Sequence, residues 1–405
     1  MITLNRDTLS FTFPELARQV RLIVDLEIQN RVSTFPLPEE RAELVAELES
    51  RPDFNRLSPT KQKNIRAAFS WTLPHIEAAF RKLMLIDGGL TTDSFTELTI
   101  KFQRTMRIPD DGKTYPLPTG LSQLPLCSVD DFSETAPVSW LKKGGVIMPT
   151  DQSEALCIWF SSRYHFAVKV AAGKMNALTG EPWSSELQRQ PQNYVLIPYS
   201  ANYDNDGVIR RFVAMPCGAE YSANEQLAGD ADVGGMQLQV VPMCAESYYR
   251  KELAFFLPPT IREFFIMLIF APVISAQLDG MEGSDESLYG SYYEFDDIMV
   301  PGADGKMRQE LHKDPYEFAE WEQAQTARCF VHPCDSSVWR QITDTNPPHP
   351  PLTAKDYEEA GIPWLDDYRD DGKPLPENSS ITPDLIVQYG NTRRHGEIRE
   401  FLDIP

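Results

Sequence analysis

Residues 165–173 read HFAVKVAAG, and their side chains alternate: Phe166, Val168 and Val170 fall on one side of an extended chain, Ala167 and Lys169 on the other. A period of two over so short a run marks a strand. The same reading extends outward to FTELTIKFQR (95–104), GGVIMP (144–149), EALCIWFSS (154–162), NYVLIPY (193–199), GVIRRFVAMP (207–216) and GGMQLQVVPM (234–243). Prolines and glycines separate these runs, and no long helical pattern intervenes. Short strands in that arrangement predict a mostly antiparallel sheet, sandwich or barrel rather than a doubly wound fold.

Upstream the period changes. PELARQVRLIVDLEIQNR (14–31) places Leu16, Val20, Ile23, Val24 and Ile28 three and four apart, the stripe of a helix with one buried face. Further helices are expected from Pro38, from the Ser58-Pro59 cap, and beyond Pro74 as far as Gly88. The expected class is therefore α+β: a helical N-terminal module (1–90), a β-rich core (91–278), and residues 279–405 as loop, helix and proline-rich C-terminal segments wrapping the core. A helix is expected in DPYEFAEWEQAQ (314–325) and a last strand in ARCFVH (327–332). A chain of 405 residues suits this division, since one hydrophobic core seldom organises so many.

The balance of 59 acidic against 38 basic side chains gives a net charge of −21, which repels phosphate backbones and anionic membrane surfaces. Basic residues are scattered, so nucleic acid is not expected as a partner. The opening MITLNRDTLSFTFPEL lacks a basic segment followed by an apolar one, so no secretory signal is expected. Six cysteines then read as reduced thiols in a cytoplasmic protein. The uncharged run 264–276 is too short for a spanning helix and contains Pro272, so burial is the first reading. A partner-facing or membrane-inserting surface is the alternative.

Several motifs resolve into turns or core. Asp-Gly-Lys recurs at 111–113, 304–306 and 371–373, as turn chemistry does. Asn202, Asp204, Asp206 and Gly207 match the first half of a calcium loop, but its twelfth position is Val213, so no metal is assigned. Cys329, His332 and Cys334 lack a second ligand pair and read as a buried strand. No Gly-x-Ser-x-Gly elbow, phosphate-binding loop, dinucleotide fingerprint or His-Glu-x-x-His is present, and no cofactor is evident.

The densest polar chemistry is KVAAGKMNALTGEPW (169–183) together with Arg210, Glu225 and Gln226. Lys169, Lys174 and Glu225 are the candidate acid-base groups; Arg210, Asn176 and Gln226, with Arg104 or Arg107, are candidate binding residues. In FQRTMR, Arg104 and Arg107 alternate to opposite faces, so they do not form one clamp. The ligand this set suits is a small anionic metabolite. The competing reading is an interaction protein that engages a partner, or a second copy of itself, through the N-terminal helices or the 264–276 run.

Taken together, RTMRIPDDGKTYPLPTGL (104–121), FAVKVAAGKMNALTGEPW (166–183), IRRFVAMP (209–216) with EQLAG, GKMRQELHKDPY (305–316), RCFVH and AKDYEEAGIPWLDDY (354–368) resemble an uncharacterised, mainly bacterial family of hypothetical proteins over about residues 95–370. The resemblance implies a shared fold and no catalytic assignment. YSANYDNDG (199–207) departs from the family pattern, and the N-terminal ninety residues lie outside it.

Overall fold

The period-two pattern produces strands where it is strongest. A computed structural model describes residues 1–34, 38–68, 73–86, 90, 93–107, 114–115, 121–151, 154–198, 206–209, 212–213, 235–254, 257, 260, 263, 299–300, 306–310, 313–362 and 395–398. The chain forms two compact units: one from Met1–Thr12, Glu97–Met243 and Phe295–Pro405, the other from Phe13–Thr96 and Cys244–Glu294. The first is β-rich and the second helical, in an α+β protein with mostly antiparallel sheets.

The helical unit contains α1 (Pro14–Ser33), α2 (Pro38–Ser50), α3 (Pro52–Asn55), α4 (Pro59–Ala68) and α5 (Leu73–Ile86). Prolines open four of these helices, where a missing N–H costs nothing. Helix α1 buries Leu16, Ala17, Val20, Val24, Ile28 and Val32, the stripe read from sequence with Ala17 and Val32 added and Ile23 only half-buried. Arg81 of α5 pairs with Asp25 of α1 and with Glu77 at 2.9 Å.

In the β unit, β1 (Ile2–Asn5), β2 (Thr8–Thr12), β3 (Glu97–Met106) and β7 (Glu154–Ser161) form the centre of one sheet. β12 (Phe212–Val213) and β14 (Met299–Val300) pair with β7, and β17 (His395–Ile398) pairs with β1. Register aligns Leu4, Leu9, Ile100 and Phe160 in one row, and Phe102 with Ile158 in the next. All six are buried, so this face is apolar.

The second sheet runs β10 (Val195–Ile197), β8 (Phe166–Ala172), β13 (Met236–Pro242), β16 (Ala327–Cys334), β6 (Val146–Pro149) and β5 (Cys127–Ser128), with β9 (Met175–Asn176) beside β8. β16 and β6 are parallel, the other pairs antiparallel. One face, including Val168, Val170, Leu238, Val240, Cys329 and Val331, is wholly buried. Two apolar faces in one unit are what a layered β structure buries between its sheets. A small third sheet holds β11 (Asp206–Ile209), β15 (Lys306–Glu310) and β4 (Thr114–Tyr115). Three short helices complete the set: α6 (Val138–Lys143) and α8 (Ser336–Thr343), which cap one end of the second sheet around Ile147 and Trp339, and α9 (Ala354–Ala360); α7 (Ala245–Tyr248) belongs to the helical unit.

The structure departs from the sequence reading in three places. The first twelve residues, placed within the helical module, form the hairpin β1–β2, whose turn uses Arg6 at φ 54°. Segment 314–325 forms two single 3-10 turns instead of one helix. Here tertiary bonds override propensity: Trp321 bridges to Met243, its Nε1 donates to Asp314 at 2.9 Å, and Glu322 N donates to Pro242 O at 2.8 Å. Residues 245–248 are helical inside the span read as β core. The 264–276 run, Asp111-Gly112-Lys113, Asp371-Gly372-Lys373, Asn202 and Asp204 lie outside the described residues.

Candidate functional site

The second sheet's other face carries polar groups in register. Lys169 of β8 lies opposite Gln239 of β13, which lies opposite Arg328 of β16. One pleat on, Ala171, Gln237 and Phe330 form the next row. Directly opposed residues share a face, so Lys169, Gln239, Arg328, Gln237 and Phe330 line one surface.

Phe330 is fixed by two glycines. Gly145 has φ +89°, and a Cβ there would stand 1.9 Å from the Phe330 carbonyl oxygen. Gly235, at φ +107°, would bring a Cβ to 2.5 Å from the ring itself. Only glycine permits both the backbone and the approach. Over the ring, Lys143 at the end of α6 sets its Nζ 4.3 Å from the centroid. His332 stacks between Trp140 and Phe330, 4.7 Å from each, and its Nε2 lies 2.9 Å from Gly144 O, so that nitrogen carries the proton.

Lys169 is wholly buried, and its Nζ donates to Ser184 O and Glu186 O, both at 2.6 Å, with Trp183 4.7 Å away on the ring side. Two carbonyls and a ring account for the ammonium's three donors, so Lys169 pins the 183–186 segment to the sheet. Burial, and then the Arg328 charge, lower its pKa to about 8 against the pull of Glu186; it remains charged at neutral pH. Lys169→Met is accordingly expected to strip Ser184 O of the ammonium and leave Glu186 O with Asn193 Nδ2 at 3.1 Å, and to destabilise the protein by about 1–3 kcal/mol, measured by urea unfolding; an unchanged midpoint would show that the pin carries no load.

The other expected residues divide cleanly. Lys174 stands exposed in the turn after β8, where Gly173 takes φ 57°. Its charge, after burial, lowers the pKa of Lys143, which places the two cations close together. Asn176 is buried and committed to its loop: Nδ2 donates to Asn193 O at 2.8 Å, and Oδ1 accepts from Leu178 N and Thr179 N. Its expected ligand-orienting part is therefore replaced by a structural one. Arg104 belongs to the other sheet, where it is buried against Glu154, with Nε–Oε2 at 3.0 Å and Pro350 O accepting at 2.7 Å. Arg107 follows the end of β3, and its backbone N–H donates to Tyr357 Oη at 2.8 Å. The structure thus gathers Lys169, Lys174 and Asn176 and separates them from Arg104 and Arg107. Arg210, Glu225 and Gln226 lie outside the described residues.

Sequence reasoning missed Lys143, Arg328, Gln237 and Gln239. The signal was present in MQLQVVP, where two glutamines two apart interrupt an apolar central strand. Among the described residues no cluster of histidine, cysteine, aspartate or glutamate is arranged to hold a metal, and no helix is long and apolar enough to cross a membrane. Cys329 and Cys334 are buried and form no disulfide. Comparisons with protein-family models, curated proteins and solved structures gave no match.

Proposed function

We propose that the β unit binds a small anionic metabolite on this polar face, with Lys143, Lys174 and Arg328 holding the anion. One observation carries the reading: in a chain of net charge −21, Lys169 and Arg328 share a row of one sheet face, Lys143 lies over Phe330 of that face, and Lys174 is near enough to depress the pKa of Lys143. Like charges held together repel, and an anion between them relieves that repulsion. Half-buried Trp140, Trp183 and Lys143 frame the strip, and partial exclusion of water strengthens attraction to a ligand there. Lys143, with proton affinity lowered first by burial and then by Lys174, is the group suited to acid-base work. Glu181 and Glu186 stand exposed at the rim and favour ligands of modest net charge.

Calorimetric titration with a panel of anionic metabolites tests this. Lys143→Ala and Lys174→Ala should each weaken the best ligand by about tenfold or more, and added salt should weaken it in the wild type. Binding that ignores both substitutions and salt refutes the assignment. A separate observation favours an interaction role as a second reading: Leu22 and Leu26, four apart on α1, are 56% and 59% exposed. Light scattering of the full chain should then show association that Leu22→Lys with Leu26→Lys abolishes; a monomeric wild type removes this reading.

A further inference from the structure

We infer that the anion recognised by this face also carries hydroxyl groups, as a polyol phosphate or a hydroxycarboxylate does; the inference rests on the anion-binding reading above and narrows it. The evidence is the pair Gln237 and Gln239. They share one face of β13, about 7 Å apart along the strand. Each turns its amide N–H groups to a backbone carbonyl: Gln237 Nε2 donates to Gly173 O at 3.0 Å, and Gln239 Nε2 to Ser185 O at 2.8 Å. Those bonds fix which way each amide faces, so the oxygens point elsewhere.

Gln239 is 2% exposed, and its Oε1 is buried without a hydrogen-bond partner. Such an acceptor is costly to leave unmade, and native structures rarely do so without a reason. It is flanked in register by Lys169 and Arg328. Lys169 is already committed to Ser184 and Glu186. A ligand drawn in by Arg328, Lys143 and Lys174 therefore meets cations for its charge and amide oxygens beside them. Inorganic phosphate dianions and simple carboxylates offer mainly acceptors, which an amide oxygen repels. A hydroxyl next to the charged group supplies the donor. Gln237, half-buried one pleat away, extends the same acceptor row. Arg328, half-buried, stands directly opposite Gln239 in the register of β16.

Matched pairs separate the two claims. Glycerol 3-phosphate against propyl phosphate, and malate against succinate, are titrated into the full chain by calorimetry. The hydroxylated member of at least one pair should bind about tenfold tighter, as one hydrogen bond allows. Gln239→Met should collapse that ratio towards one, while Lys174→Ala should weaken both members equally. Equal binding within each pair by the wild type overturns the hydroxyl inference and leaves the anion reading standing. Absence of binding by all four compounds overturns the inference together with the anion reading. Should Gln239→Met unfold, the wild-type ratios and Gln237→Met decide the matter.

Discussion

Arg104→Ala is expected to destabilise the protein by about 3–5 kcal/mol at neutral pH, the usual result of removing one partner from a buried ion pair. Arg104 and Glu154 lie on the apolar face of the first sheet, with side chains 8% and 4% exposed. They stand diagonally across the β3–β7 pairing, where Arg104 faces Leu156 and Met106 faces Glu154. The guanidinium also donates to Pro350 O and, at 3.4 Å, to Ser122 Oγ, so it joins three chain segments. Without it, Glu154 remains buried as an unpaired carboxylate. Burial already raises the Glu154 pKa despite the hydrogen bond and charge of Arg104. The loss in Arg104→Ala should therefore shrink as the pH falls and that carboxyl takes up a proton. The double variant Arg104→Met with Glu154→Leu should recover most of the stability, because neither charge is then left in the core. Urea midpoints of the three proteins decide it. A loss below about 1 kcal/mol in Arg104→Ala would mean that water reaches the pair and screens it.

Much of this architecture is legible from period alone. β6, β7, β8, β10 and β13 fall within runs identified by alternation or by continuous apolarity, β3 and β16 extend such runs by two residues, and the α1 stripe follows from spacings of three and four. The omissions share a cause. The β1–β2 hairpin contributes only Ile2, Leu4, Leu9 and Phe11 to the core, two per strand, too few to register as periodicity. Helix α8 has eight residues and is announced only by its cap, Asp335, which accepts from Ser337 N and Val338 N. Segment 314–325 reads as a helix because nothing in its own sequence says that Trp321 will bond to Asp314.

The site was legible to a lesser degree, for a related reason. Lys169 and Lys174 stand out in sequence because glycine and lysine interrupt a strand; Lys169 lies on the polar face, and Lys174 in the turn that follows β8. Their partners come from residues up to about 160 positions away, Arg328 through β16 and Lys143 through α6. Register across three strands creates that proximity, and register is a property of the sheet rather than of any one strand. Arg104 misled for the same reason: alternation put it correctly on the face of Met106, but whether that face was pocket or core depended on which sheet β3 joined.

The same face makes the protein sensitive to acid through one residue, His332. It is 1% exposed, and burial lowers its pKa to about 4, with Lys143 adding to the effect and the bond to Gly144 opposing it. An unfolded chain binds this proton near 6.5, the folded chain only near 4. Between those values the unfolded state holds more protons, so stability is complete above about pH 6.5 and declines as the pH falls towards 4. The full difference amounts to about 3 kcal/mol. Asp335 contributes in the same direction, since its cap bonds outweigh burial and hold its pKa below the ordinary carboxylate value. A second variant separates the two. His332→Phe keeps an aromatic ring between Trp140 and Phe330 but cannot titrate; it loses the bond to Gly144 O at every pH. It should therefore be about 1 kcal/mol less stable than the wild type at pH 7 and more stable at pH 4.5. Thermal melts of both proteins across that range should cross. Parallel curves would mean that His332 accepts its proton in the folded state as readily as in the unfolded one, and that the ring stack admits water.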